Sequence, residues 1–471
     1  MVVKSGRNST IDLVNGPIFS SLIRFSIPIL FGSIVTQFYN VADSMIVGRF
    51  ISSEALAAVS ASAPIVSIIN LFAIGLSSGS NVVIAQRVGS GNHDALQKAV
   101  STISFLTLSC SAFITVLGLI ISRPMLAVLK TPEEIMDAST LYLIIVFLGT
   151  TGNLVYQMGT GALRGMGDVN WPLFFLIIGS VLNIIFDLIA VLVFNLGVEG
   201  VAAATAVSQI ISGAGIIYRL NRGDYGVNVG LSELKPDRYE LGEIVRIGLP
   251  AAIQNIGNTL ASMFVQSSVN SFGSTFIAAN SIVNRVDTLL YIPVDAVSTA
   301  LCTFVGQNMG RLQLKRIKKG INSSIASLTV LGVGLCGIQI ALRNVLPMLF
   351  TKDSDVLSIT SDGLFIMAFQ CLFYGIDRCL VNAMRGAGKS VVPMITAQFG
   401  AFSRVPLSYY LGVKTGDWHG IFWAMLIAAF LRNAAISIYY FGGGWSRVVE
   451  QYEEKHPELV MSQDKSFDVN I

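Results

Sequence analysis

The chain has 471 residues, 53% of them hydrophobic and only 13% charged, with a mean hydropathy of +0.67. An ordinary soluble domain is about 25% charged, and a soluble protein of this size needs more charged surface than 31 basic and 28 acidic side chains supply. Lipid is therefore the solvent for most of the surface, and a net charge of +3 with no basic cluster interleaved with aromatics argues against a nucleic-acid partner.

A membrane-crossing helix needs about 20 mostly apolar residues. Reading along the chain, twelve such runs occur. The first six lie near 19–47, 54–83, 96–121, 135–162, 170–194 and 197–218, and the second six near 242–269, 276–306, 319–342, 357–383, 391–412 and 418–441. The polar start, Lys4 to Asn15, precedes a first run too long for a cleaved leader and without an obvious cleavage site. The sequence thus predicts an all-α membrane protein of twelve transmembrane helices, with a six-helix bundle over 1–222 and a cytoplasmic linker over 223–240. A second bundle over 241–445 and a cytoplasmic tail over 446–471 follow. The longest loop holds Asp224, Lys235, Pro236, Asp237 and Arg238.

Positive charge predicts the orientation. The termini and even-numbered connections, with Arg24, Lys98, Arg246 and Lys319 at the adjoining span ends, hold 21 Lys and Arg, against six in the odd-numbered ones: Arg49, Arg123, Lys130, Arg343, Lys352 and Lys414. By the positive-inside rule both termini are cytoplasmic.

The halves repeat. Arg24-Phe-Ser-Ile-Pro28 opens span 1 and Arg246-Ile-Gly-Leu-Pro250 opens span 7. Gln86-Arg-Val-Gly89 matches Gln307-Asn-Met-Gly310 at a shift of 221. Leu163-Arg-Gly-Met-Gly167 matches Met384-Arg-Gly-Ala-Gly388 at the same shift, as does Pro172 with Pro393. With six spans each, both halves insert the same way up. They are parallel repeats about an axis along the membrane normal, an arrangement suited to rocking around a central site.

Several motifs carry less than they promise. Arg385-Gly-Ala-Gly-Lys-Ser390 resembles a phosphate loop, but the glycine that pattern needs five residues before Gly388 is Ala383, and a membrane span precedes it instead of a strand. ATP is therefore not expected as the energy source. His93, His419 and His456 lie in or beside loops far apart in sequence, and no HExxH occurs, so an enzyme is not expected. The five cysteines, 110, 302, 336, 371 and 379, fall in apolar stretches and imply no disulfide framework or zinc site.

The intramembrane polar residues remain, each a functional candidate by default. Thr36, Tyr39, Asn40 and Asp43 share one face of span 1. Ser180, Asn183 and Asp187 do the same in span 5, and Thr205, Ser208, Gln209 and Ser212 in span 6. A carboxylate in mid-membrane costs about 2.5–3.5 kcal/mol, less if it holds a proton or a cation. Asp43 and Asp187 can carry a proton or hold Na+, with oxygens of Asn183 and Thr205 completing the shell; they can equally be separate and neutralised by structural hydrogen bonds. The repeat favours the first reading, because at a shift of 221 Asn183 meets Arg404 and Asp187 meets Ser408, and Asp43 meets Phe264 or Val265. The acids do not recur. Span 7 carries only amides in its interior (Gln254, Asn255, Asn258). Span 8 holds Asn280, Asn284, Arg285, Asp287 and Asp295, and span 10 holds Asp377 and Arg378. Gln37, Tyr39, Asn40, Gln254, Asn258, Asn284 and Asp287 are the candidates for a substrate cavity.

Taken together, Gln37-Phe-Tyr-Asn-Val-Ala-Asp43 leading to Gly48, the two Arg-Gly loops, and Gly197-Val-Glu-Gly-Val-Ala-Ala-Ala-Thr205 resemble the multidrug and toxic compound extrusion (MATE) transporters, of the prokaryotic type. The resemblance covers nearly the whole chain. It implies two six-helix bundles forming a V-shaped central cavity, and export of amphiphilic, often cationic small molecules across the plasma membrane, coupled to entry of H+ or Na+. In the prokaryotic branch a cation site uses an Asp of span 1, an Asn and an Asp of span 5 and a Thr of span 6, which match Asp43, Asn183, Asp187 and Thr205. Other members use a Glu in span 7, and no such acid is expected in that span here. No resident cofactor is expected, and the expected partners are small amphiphiles and lipid, with the chain a monomer. The alternatives are a flippase for a lipid-linked saccharide, which calls for a more basic cavity than few buried arginines would give, and a membrane-embedded enzyme.

Overall fold

A computed structural model describes residues 10–222, 225–230, 233–455 and 457. Lys4, Asp224, His456 and Asp464 lie outside the described residues. Among the described residues the chain is helical, with no strand. The first half contains α1 (Ile18–Phe50), α2 (Ser53–Ser90), α3 (His93–Val128), α4 (Glu133–Gly165), α5 (Asn170–Leu192) and α6 (Val198–Arg222). The second contains α7 (Arg238–Asn270), α8 (Gly273–Met309), α9 (Leu314–Leu342), α10 (Ser354–Ala368), α11 (Cys371–Gly386), α12 (Val391–Ser408), α13 (His419–Tyr439) and α14 (Trp445–Lys455). With α10 and α11 taken as one helix bent by 51°, and α12 with its π-helical continuation over Tyr409–Val413 as another, the described residues hold twelve long helices ahead of α14; ten of them are long and apolar enough to cross a membrane.

The expected single span over 357–383 is thus a broken helix. Gln339 of α9, fully buried, donates from Nε2 to the carbonyl of Leu364 at 3.2 Å. The break follows one turn later.

The chain divides into two units. One holds the residues up to Asp12 and Ile27–Ala252; the other holds Leu13–Ser26 and Ile253–Ile471. The divisions fall inside α1 and α7, beside Pro28 and Pro250, the equivalent prolines of the two repeats.

Within the first unit, small residues let helices touch. A Cβ at Gly149 would lie 2.5 Å from Cβ of Ala206, and one at Gly165 would lie 2.7 Å from the carbonyl oxygen of Asn81 and 2.9 Å from Cβ of Ile84. Such contacts replace the hydrophobic effect, which cannot drive helices together in lipid. Apolar packing is local, as where Leu143, Phe147 and Met136 of α4 meet Ile65 of α2 and Leu126 of α3. The chain N-terminal to α1 is pinned by a bond from Ile11 N–H to Gly167 O, 3.0 Å. At the turn after α4, the fully buried Asp168 accepts from Arg219 at 3.0 Å and from the hydroxyl of Tyr225 at 2.5 Å.

The second unit repeats the pattern at the predicted shift. A Cβ at Gly386 would lie 2.5 Å from the carbonyl oxygen of Cys302 and 2.9 Å from Cβ of Val305, the equivalents of Asn81 and Ile84. Its core gathers Phe276, Val283, Leu364 and Phe422 from α8, α10 and α13. Leu13–Ser26 is held there: Asn308 donates to Leu13 O at 3.1 Å, and Arg316 to Leu13 O and Gly16 O.

The repeated Arg-Gly motif is a helix stop. Gly167 and Gly388 have φ of 94° and 83°, a left-handed conformation that costs about 1–2 kcal/mol for residues with a Cβ. The following N–H groups, of Asp168 and Lys389, return to Leu163 O and Met384 O at 2.9 and 3.0 Å. Arg385–Ser390 is therefore a capped helix end, not a phosphate cradle. Replacing Gly388 by Ala is expected to lower stability by about 1–2 kcal/mol, and Gly386→Val by more, since the added carbons meet backbone. Thermal unfolding of the two purified variants, with Gly334→Ala at an open helical position as reference, measures the difference.

Candidate functional site

The expected coupling residues come together inside the first unit. Asp187 and Asn183 lie a turn apart on α5 and are buried, with 0% and 1% exposure. Thr205 comes from α6 and Asp43 from α1, both half-buried. The carboxyl groups of Asp43 and Asp187 are within hydrogen-bonding reach of each other. Asn183 fits best with its amide turned so that Nδ2 donates to Asp187 at 3.0 Å while its oxygen accepts from the hydroxyl and N–H of Thr205, 3.2 and 3.3 Å. Tyr39, one turn before Asp43, bonds Thr205 through its hydroxyl.

Electrostatics define what such a site can do. Among the described residues no Lys, Arg or His lies within 4.0 Å of either acid. One oxygen of each acid, Oδ1, is buried without a hydrogen-bond donor. Two ionised carboxylates cannot bond each other, since neither has a hydrogen to give. A proton shared between them, or a cation against both, is what the geometry accommodates. The donor atoms are all oxygen, as a hard monovalent ion or a proton prefers and a thiolate-seeking metal does not.

Sequence reasoning missed Tyr142. It reaches Asp43 and Asp187 from α4, close enough to feel both charges. Span 4 carries no polar stripe around it, so only the packing of α4 could reveal it.

The other candidates are dispersed. Tyr39 belongs with the acids. Gln254 and Asp287 are buried and engaged inside the second unit: Gln254 accepts from Arg385 at 2.9 Å and Asp287 from Gln339 at 3.0 Å. Asn40 and Asn284 are exposed, and Gln37 and Asn258 half-buried. The expectation of a span 7 without acids is corrected: helix α7 includes Glu240 and Glu243 near its start, and Glu240 is buried and paired with Arg87 at 2.8 Å in the first unit. Among the described residues Arg87 is the one buried arginine, as expected of a chain with few of them, and Arg378, Arg385, Arg404 and Arg432 of the second unit are half-buried. His93 starts α3, and His419 stacks on Trp418. In that loop the hydrogen bond from His419 holds the Asp417 carboxyl below the usual carboxylate range.

Comparison with known proteins agrees with this architecture. The family model MatE matches residues 28–189 and 250–410. The probable multidrug resistance protein YoeA of Bacillus subtilis is 28% identical over 418 residues, covering 86% of this chain and 90% of that one. The FAD transporter of Shewanella oneidensis is 26% identical over 367 residues, covering 77% and 80%. A crystal structure described as MATE in the bent conformation has the same fold, with a TM-score of 0.86 at 22% identity, covering 94% of this chain and 98% of that one. The two matched segments fall one in each sequence repeat, and the chain belongs to the MATE family, whose members are multi-pass membrane transporters and not enzymes.

Proposed function

We propose that the protein is a cation-coupled antiporter that exports amphiphilic, often cationic small molecules across the plasma membrane by alternating access. One observation carries the coupling: two adjacent carboxyl groups in the interior of a membrane bundle with no basic partner among the described residues. Asp43 and Asp187 take up H+ or Na+, with Asn183, Thr205 and the hydroxyls of Tyr39 and Tyr142 around them. Uptake repacks α1 near Pro28 and lowers the affinity for cargo. Cargo and cation thereby exclude each other through one two-state element. The names of the relatives support small-molecule cargo, multidrug resistance in one case and FAD in the other.

Accumulation of a fluorescent amphiphilic cation in everted vesicles tests this reading. Accumulation should follow an imposed pH or sodium gradient and collapse when the gradient is discharged. Accumulation indifferent to both gradients would contradict it.

Orientation belongs to the same reading, with both termini cytoplasmic, no ATP and a monomeric working unit. A cysteine placed at Asp464 should react with an impermeant maleimide only after cells are permeabilised. Labelling in intact cells would reverse the topology.

A further inference from the structure

The second unit carries positive charge that its carboxylates do not neutralise. Arg378 lies 3.4 Å from Asp295, and Arg432 lies 2.8 Å from Asp377. Arg385 has Gln254 instead of an acid. Arg404, half-buried on α12, has neither. Its Nε reaches the carbonyl of Ala401 in its own helix at 3.3 Å, and no carboxylate lies within 4.0 Å of it among the described residues. The charged neighbour it does have is Arg432, a like charge. The two are pressed together because α12 and α13 touch at Gly400, where a Cβ would lie 2.5 Å from Cβ of Arg432.

One turn beyond Arg404, on the same face, Ser408 is fully buried and its hydroxyl has no hydrogen-bond partner. A buried hydroxyl without a partner is unusual, and a guanidinium withdrawn from water without a counter-charge is costly. Both deficits are met by one ligand type, an anionic oxygen. The register strengthens the point. Helices α5 and α12 start at Asn170 and Val391, offset by the repeat shift of 221, so Asn183 and Asp187 correspond to Arg404 and Ser408. The positions that face a cation in one bundle carry a guanidinium and a hydroxyl in the other. Polarity is inverted between equivalent places.

We propose that Arg404 and Ser408, with Arg432 beside them, form a subsite in the second bundle for the anionic group, phosphate or carboxylate, of a transported solute. The guanidinium fork takes two oxygens of such a group, the Ser408 hydroxyl donates to one of them, and Arg432 adds charge while remaining paired with Asp377. The proposal rests on the reading of the chain as an exporter of amphiphiles and narrows their class to molecules that include an anionic end.

The test uses the purified full chain in phosphatidylcholine nanodiscs and two fluorescent probes that share one ring system, 1-naphthyl phosphate and neutral 1-naphthol. The phosphate should bind about tenfold more tightly or better, as expected when a charge-assisted hydrogen bond is gained. Arg404→Gln should remove that preference and Arg404→Lys keep most of it. Ser408→Ala, which deletes only a hydroxyl, should weaken it about threefold and serves if Arg404→Gln fails to fold. Equal binding of the two probes by the wild type would overturn the proposal. So would a preference that survives both Arg404→Gln and Ser408→Ala. Replacing a third of the lipid by phosphatidylglycerol should leave the preference in place; if it abolishes phosphate binding, the arginine belongs to a lipid headgroup and the assignment to a solute is wrong. Export indifferent to ion gradients, with the phosphate preference intact, would strike the exporter reading alone.

Discussion

Asp187→Asn should abolish gradient-driven export while leaving cargo binding in place. The amide keeps the shape and the hydrogen bond to Asn183 but cannot take a proton or balance a sodium ion. The driving force is large enough for export, since one charge moving through about 100 mV is worth roughly 2.3 kcal/mol. At about 1.36 kcal/mol per decade that sustains a cargo gradient of about 50-fold. Without a change of ion occupancy between states none of it reaches the cargo, so steady-state accumulation in everted vesicles should fall from tens-fold to near unity. Equilibrium binding of a fluorescent cation should meanwhile lose most of its dependence on pH or sodium. Near wild-type pumping by Asp187→Asn, or unchanged ion dependence of its cargo affinity, would remove the acid pair from the mechanism.

The second large effect is expected in the other bundle, and it is on stability. Asp377 is almost fully buried and holds Arg432 through contacts of 2.8 and 3.1 Å. Taking one partner from a buried ion pair typically costs about 3–5 kcal/mol, because the remaining charge is stranded. Arg432 would be stranded beside Arg404, also positive, so Asp377→Asn should lie toward the upper end of that range. Yield and the thermal unfolding midpoint should drop sharply, and Asp377→Asn/Arg432→Gln should recover part of the loss. Material that does fold should retain ion-dependent cargo binding, unlike Asp187→Asn. A stable Asp377→Asn protein that has lost ion coupling would move the coupling site to the second bundle.

These two acids illustrate how far sequence reasoning reaches. Both are intramembrane carboxylates, and hydropathy marks them equally. The repeat does not separate them, since Asp187 corresponds to Ser408 and Asp377 to Tyr156, but the prokaryotic MATE motif gives Asp187 companions from spans 1 and 6. No sequence feature tells that Asp377 is balanced by Arg432, because α11 and α13 are brought together by packing and the two residues are 55 positions apart. Tyr142 was missed for the same reason.

What the sequence alone determined is whatever depends on local composition and period. The membrane as solvent follows from 13% charge, and the number of crossings follows from the length of each apolar run. The two-fold repeat follows from glycines and prolines recurring at a constant shift, because left-handed helix stops and close backbone approaches accept little else. Only the tertiary structure decided what depends on distance between helices. It broke the tenth crossing between Ala368 and Cys371. It joined Asp43 to Asp187, and it left Arg404 without an acid while giving one to Arg432. In lipid the sign of a buried charge shows in the sequence, but its cost or use is set by what faces it across the bundle, and that is a property of packing.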